Sequence, residues 1–225
     1  MLEGNVSVPA SALPAKSFGV FLKRYRADGR HTGIVYRDAD GRACLLHLAW
    51  HELLKFELAN LAFFADGSGG WVTLPLPDER VDAIAEFCDL VAEANRSGRI
   101  PYAFNSPGSR FDPAAGTLQL GEGELGLTCS TFVVALLRSA GVNLVETAWP
   151  AREDDVAWQR TTVDRLRRHG APAAHVAAIE REIGCARIRP EEVAAAAGSP
   201  SLPASFAHCT RFGPRLLKRL VPSAT

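Results

Sequence analysis

Charge of one sign is what this sequence lacks. Its 25 Lys and Arg are matched by 25 Asp and Glu, so no net field draws it toward nucleic acid or an anionic membrane. Long apolar runs are missing too, and nothing approaches the roughly 20 residues that a membrane-spanning helix needs. Met1-Leu2-Glu3-Gly4-Asn5 has neither the basic start nor the apolar run of a secretory leader. The expectation is a cytoplasmic protein, with export by a dedicated secretion system still compatible. Cysteine is sparse: five residues, at 44, 88, 129, 185 and 209. The odd count, the wide scatter and the lack of a close CxxC pair speak against a disulfide framework or a zinc site and for a reducing compartment. No internal repeat or low-complexity tract is visible. At 225 residues the chain can bury a full core, as one large domain or as one domain with an accessory part.

Ser17 to Arg26, His31 to Arg37 and Arg42 to Ala49 read as strands. Asp28-Gly29 and Asp38-Ala39-Asp40-Gly41 are turn signals between them. Together they predict an antiparallel meander with one buried face. Trp50 to Ala65 is ambiguous between a short helix and an irregular segment. Gly67 to Gly70 breaks the chain, and Trp71 to Leu76 is a further strand that Pro75 shortens or moves to an edge. A helix follows to about Arg96, capped by Asp78, with Val81, Ile84, Ala85, Cys88, Val91 and Ala92 as its apolar stripe. Asn105 to Gly126 is a Gly/Pro-rich connection without a clear period. It runs directly into Cys129, so it is either a wall or lid over a site there or surface decoration. Past residue 150 only helical signals occur: Glu153 to His169, Pro172 to Ile183, Pro190 to Ala197, and Phe206 to about Leu220. The expected class is α+β, with a loose arm at 1–16, a catalytic domain at 17–149 and an α-helical extension or subdomain at 150–225.

The chemistry centres on Thr128-Cys129-Ser130-Thr131-Phe132-Val133. Thr128 is suited to cap a helix whose buried face is Phe132, Val133, Leu136, Leu137 and Ala140, with Gly141 closing it. Cys129 then lies in the first turn, where free N–H groups and the helix dipole favour a thiolate and can also receive an oxyanion. A buried structural cysteine is the plainer alternative. A thiol nucleophile needs an imidazole base, and that base needs a polar group to fix its tautomer. His31 and His47 stand on adjacent strands of the expected hairpin, where side chains meet on one face.

At this point the sequence resembles a family. His31-Thr32-Gly33-Ile34-Val35-Tyr36, then Leu45-Leu46-His47-Leu48-Ala49, then the Cys129 motif look like the histidine hairpin and nucleophile of circularly permuted NlpC-type papain-like proteins. That group includes lecithin:retinol acyltransferase relatives and bacterial permuted members. Gly98-Arg99-Ile100-Pro101-Tyr102-Ala103 is similar to the Gly-x-Pro-Tyr-Asp element of the bacterial members, with Ala103 in place of the Asp. Thr128 replaces the usual Asn, Asp or Tyr before the cysteine. The resemblance spans about Ser17 to Gly141. It implies an antiparallel sheet packed on a cysteine-bearing helix, with Cys129 as nucleophile, His31 as base and His47 as third polar residue. It also implies Tyr102 and the Ser130 backbone at the oxyanion or substrate site. No cofactor is expected, and a zinc site from His31, His47, His51 and Cys129 is disfavoured because only His47 and His51 have the spacing of a ligand pair. The implied activity is a cysteine hydrolase (amidase, peptidase or thioesterase) or an acyltransferase. The substrate would be a small-molecule, peptide or lipid acyl group. A binding module that keeps the pocket without catalysis is one rival, and a secreted toxin-type amidase acting on peptidoglycan peptides or host protein is another.

Three weaker features remain. His51 reads as a surface residue. His208-Cys209 lacks a helix-entry context and reads as incidental. The basic amphipathic run with Arg211, Arg215, Lys218 and Arg219 suits a membrane surface or a protein partner, although a packed terminal helix with a solvated basic face is the simpler expectation.

Overall fold

The computed structural model describes residues 13–14, 16–25, 29–59, 64, 67–97 and 100–220. Most of the expected arm at 1–16 lies outside them, as do Asp28 of the first turn and Gly98 and Arg99. The strands are β1 (Phe18–Tyr25), β2 (Gly29–Arg37), β3 (Ala43–Trp50), β4 (Leu53–Leu58) and β5 (Gly69–Thr73), forming an antiparallel sheet in the order β4-β3-β2-β1-β5. Helix α1 (Asp78–Ala94) follows, then a two-stranded ribbon of β6 (Arg110–Phe111) and β7 (Leu118–Gln119), then α2 (Cys129–Ser139). The C-terminal part is α3 (Glu153–Arg168), α4 (Ala173–Glu180), α5 (Pro190–Ala197) and α6 (Phe206–Leu217). The chain is α+β.

The meander differs from expectation in its faces. Phe18, Val20 and Leu22 of β1 join the main core, while Phe21 points the other way into a second cluster with Leu13, Val35, Leu45, Phe64 and Trp71. The central strands are therefore buried on both sides, which explains why they read as nearly continuous apolar runs. The ambiguous stretch after Trp50 contains edge strand β4, entered through Glu52 at φ +54°. Left-handed backbone at a turn is normally signalled by Gly or Asn, and neither is present. Gly69 and Gly70 do not break the chain but pair with Lys23 and Leu22 at the start of β5. Asp78 is the first residue of α1 rather than its cap; Pro77 holds that position.

Helix α2 packs on β2 and β3, while α5 packs on β1, β2 and β5 and also touches α2. All eight residues of α5 are buried, four of them the alanines 194–197, whose small side chains allow close approach. The main apolar core runs from one face of the sheet through α1 and α2 to α5 and α6. The basic face of α6 is that of a packed helix: Cys209, Gly213, Leu216 and Leu217 are buried, and Arg211 and Arg215 lie over the Phe212 ring. No helix among the described residues is long and apolar enough to cross a membrane.

Candidate functional site

Thr128 caps α2 reciprocally with Thr131: the Thr131 N–H donates to the Thr128 hydroxyl at 3.1 Å, and the Thr128 N–H to the Thr131 hydroxyl at 2.8 Å. Cys129 is the first helical residue and is buried. The strand-like segment 101–103 fixes the approach to this cap. Leu127 N–H donates to the Pro101 carbonyl at 2.9 Å, and Ala103 N–H to the Leu127 carbonyl at 3.4 Å. Gly126 permits that contact, because a Cβ there would collide with the Pro101 carbonyl.

The same ladder brings Tyr102 beside the thiol. Its ring lies 5.1 Å from that of Trp50. Its backbone is held from both sides by imidazoles: the Tyr102 N–H donates to His51 Nδ1 at 3.1 Å, and its carbonyl lies 3.0 Å from His175 Nε2. The two rings are 4.8 Å apart. His51 is therefore half-buried and structural, not a surface residue as its position in the sequence suggested. Burial lowers its pKa first, and His175 adds to the effect.

His31 and His47 meet on the sheet. His31 Nε2 lies 2.8 Å from His47 Nδ1, and both residues are buried. They are diagonal in the register, because Ile34 pairs with Leu46 and the next step sets Gly33 opposite His47. Gly33 makes the arrangement possible. A Cβ there would lie 2.5 Å from both His47 Cβ and Phe21 Cε1, and 2.7 Å from the Leu46 carbonyl oxygen. The Phe21 ring packs on both imidazoles, with centroids at 5.8 and 5.5 Å.

Burial lowers His31 well below the ordinary imidazole value, and the neighbouring His47 and Lys55 add to this. Burial also lowers His47, to about 4. The sign follows directly. The unfolded chain takes up protons near pH 6.5 while the folded pair stays neutral, so stability falls as pH drops below 6.5 and continues to fall toward the folded value. For His47 alone the loss between pH 7 and pH 5 is about 2 kcal/mol. Urea unfolding at the two pH values should show at least that decrease, and His47→Gln should reduce it; equal unfolding free energies would contradict the burial described.

Cys129 is not the preformed thiolate its helix position suggests. Burial raises the thiol above its ordinary range; the Thr32 backbone N–H, the Arg187 guanidinium and the Ser130 hydroxyl and N–H oppose this without overcoming it. His31 and His47 share the Phe21 face of the sheet, whereas α2 packs on the face of Ile34, Leu46 and Leu48, so the sheet stands between the imidazoles and Cys129; no hydrogen bond among the described residues joins them.

No family model, curated protein or solved structure matches the chain. The site therefore rests on its own geometry, and that geometry includes one residue the sequence reading missed. Arg187, in the connection before α5, presents its charge to both Cys129 and Tyr102. It stacks on Trp158 at 3.4 Å and bonds Asp155 at 2.9 Å. Asp155 is fully buried and also binds Arg152 and Arg189, each at 2.9 Å. A lone Arg in an extended connection carries no local signal; only the fold brings it to the thiol. Of the other singled-out residues, Ser130 is buried beside Cys129, whereas Cys209 is core and His208 stacks on Phe212. Among the described residues, no group of three or more His, Cys, Asp and Glu is placed to hold a metal.

Proposed function

We propose that this chain is a cysteine-dependent acyl hydrolase of the permuted NlpC-type papain-like class, with Cys129 as nucleophile and His31 as base. What supports this reading is the place of Cys129 in the first turn of α2, behind the reciprocal Thr128–Thr131 cap, with Tyr102 and the Arg187 charge beside it. His31 Nε2 is engaged by His47 and its ring lies on the Phe21 face of the sheet, so the reading requires that ring, near the start of β2, to turn to the Cys129 side when an acyl substrate binds.

Because the thiol and the imidazoles are all neutral at rest, activation is by general base rather than by a standing ion pair. As Cys129 Sγ bonds to the acyl carbon, its proton passes to His31 Nδ1. The oxyanion is received by N–H groups at the start of α2, with the Tyr102 hydroxyl as a further donor. His31 then gives the proton to the leaving amine, alcohol or thiol, and a thioester remains. Water, deprotonated by His31, attacks the thioester; the acid departs and the thiol is restored. His47 holds the orientation and tautomer of His31. An alcohol or amine in place of water would make the same enzyme an acyltransferase. The raised thiol pKa and the sheet standing between Cys129 and the imidazoles favour the rival, a binding module that keeps the pocket but not the chemistry.

The two are separated by treating the folded protein with p-nitrophenyl acetate. The enzyme reading expects a stoichiometric burst of p-nitrophenolate and an acetyl group on Cys129 by peptide mass mapping, with both slowed in His31→Ala. Acetylation no faster at Cys129 than at Cys185 would remove the catalytic reading and leave the binding module.

A further inference from the structure

A cavity of about 520 Å³ lies on the far side of α2 from the thiol, within the size range of small-molecule sites. Thr131, Val134 and Arg138 contribute one stripe of the helix to it, and at 100° per residue that stripe faces away from Cys129. The connection before α5 alternates in the same way. Ala186 and Ile188 line the cavity, while Arg187 between them turns to Asp155 and Trp158. The cavity is thus distinct from the thiol site.

Its polar lining is incomplete in one direction. Ser106 Oγ, Arg138 Nε and Trp149 Nε1 are buried and have no hydrogen-bond partner among the described residues, and all three residues line this cavity. Ser106 is 5% exposed. Unpaired buried donors of this kind are costly and uncommon, and each calls for an explanation. The indole and guanidinium nitrogens can only donate. Arg138 gives another of its N–H groups to the Pro107 carbonyl but forms no ion pair among the described residues. The carboxylate that acts on it, Glu124, is already engaged by Gly108 N–H, Gly121 N–H and the Ser109 hydroxyl. The one carboxylate in the lining, Glu146, belongs to an exposed residue. Val134, Leu144, Ile188 and Pro203 give the cavity an apolar wall, beside the neutral polar Asn105, Thr131, Asn143 and Thr147. The Trp149 ring is fixed edge-on against Phe206 at 5.2 Å, which holds its N–H in place.

We infer that this cavity binds a monocarboxylate with an apolar body, its carboxylate received by Arg138, Trp149 and Ser106 and its hydrocarbon by the apolar wall. A carboxylate supplies the acceptors that three donors lack and the charge that Arg138 lacks. The proposal does not depend on the chemistry of Cys129.

The test is calorimetric titration of the full chain with decanoate and, separately, with 1-decanol. Decanoate should bind saturably with one site, and decanol at least about tenfold more weakly, since a charge-assisted pair is lost. Trp149→Phe keeps the ring and removes only the N–H; it should weaken decanoate about three- to tenfold. Arg138→Met should weaken it more, and Val134→Trp should fill the cavity and abolish it. Prior alkylation of Cys129 should leave decanoate binding intact. The proposal is overturned if wild type shows no saturable binding, or if decanol binds as well as decanoate. It is also overturned if Trp149→Phe and Arg138→Met bind like wild type, or if alkylating Cys129 removes binding, which would put the carboxylate at the thiol.

Discussion

Cys129→Ala should reduce turnover of an activated ester such as p-nitrophenyl acetate by about 10⁴-fold or more in kcat/KM, the scale seen when a nucleophile is removed from a catalytic triad. His31→Gln should approach the same loss, because the proposed mechanism routes every proton transfer through His31. The effects should not add: the double variant should be no worse than Cys129→Ala, as for groups that act in one step. His47→Gln should cost less in rate but alter the pH profile, since His47 contributes to the low pKa of His31. With the base kept below the usual imidazole range, wild-type activity should persist on the acid side of pH 6.5, and His47→Gln should shift that limb upward. Initial rates across pH for the five proteins decide this. Turnover retained in Cys129→Ala would assign any esterase signal to another group.

Asp155→Ala should be the most damaging substitution in the C-terminal half. Asp155 is fully buried and accepts from Arg152, Arg187 and Arg189. Its carboxyl is itself buried, yet those guanidinium groups keep its pKa below the usual carboxylate value. Removing one partner from a buried charge cluster leaves the others uncompensated and costs about 3–5 kcal/mol, a large share of the 5–15 kcal/mol (roughly) that holds a domain together. Glu192 can still hold Arg152, at 2.5 Å, but Arg187 loses its ion-pair partner. Chemical denaturation should show the destabilisation, whereas Asp154→Ala, at an exposed neighbour, should change stability by about 0.5 kcal/mol or less. Iodoacetamide labelling at sub-denaturing conditions gives a second readout. With Arg187 released, Cys129 should lose a cation that favours its thiolate and should alkylate more slowly at a given pH. Unchanged stability in Asp155→Ala would mean that the cluster is not formed in solution.

These two predictions draw on parts of the chain that differ in how far the sequence disclosed them. The strands that carry the histidines were legible because turn residues punctuate them and because β-branched and aromatic residues fill them. The helix that carries Cys129 was legible because Thr128 and Gly141 mark its ends. Helix α5 was legible from Pro190 alone, which begins it. Strand β4 was not, because Glu52 makes a left-handed turn without a glycine and because Leu53, Phe56 and Leu58 are exposed at an edge, at 46%, 39% and 55%. The protonation state at Cys129 was not legible either. Position at a helix start argues for a thiolate, but burial is a property of the assembled fold and it prevails here. The roles of His51, His175 and Arg187 depend on contacts between residues far apart in sequence, and no local pattern encodes such contacts.

The separation of His31 from Arg187 has a consequence during synthesis. At about 5–20 residues per second, Arg187 leaves the ribosome roughly 10–30 s after His31. The meander pairs neighbours along the chain, and contacts of this local kind form early. Helix α5, which seals β1 and β2, comes near the end. A growing chain therefore carries its two imidazoles, and later its cysteine, before the cation and the buried acid that complete the surroundings of the thiol have been made. The histidine pair waits on the nascent sheet, and the thiol acquires its final proton affinity only when the last third of the protein closes over it.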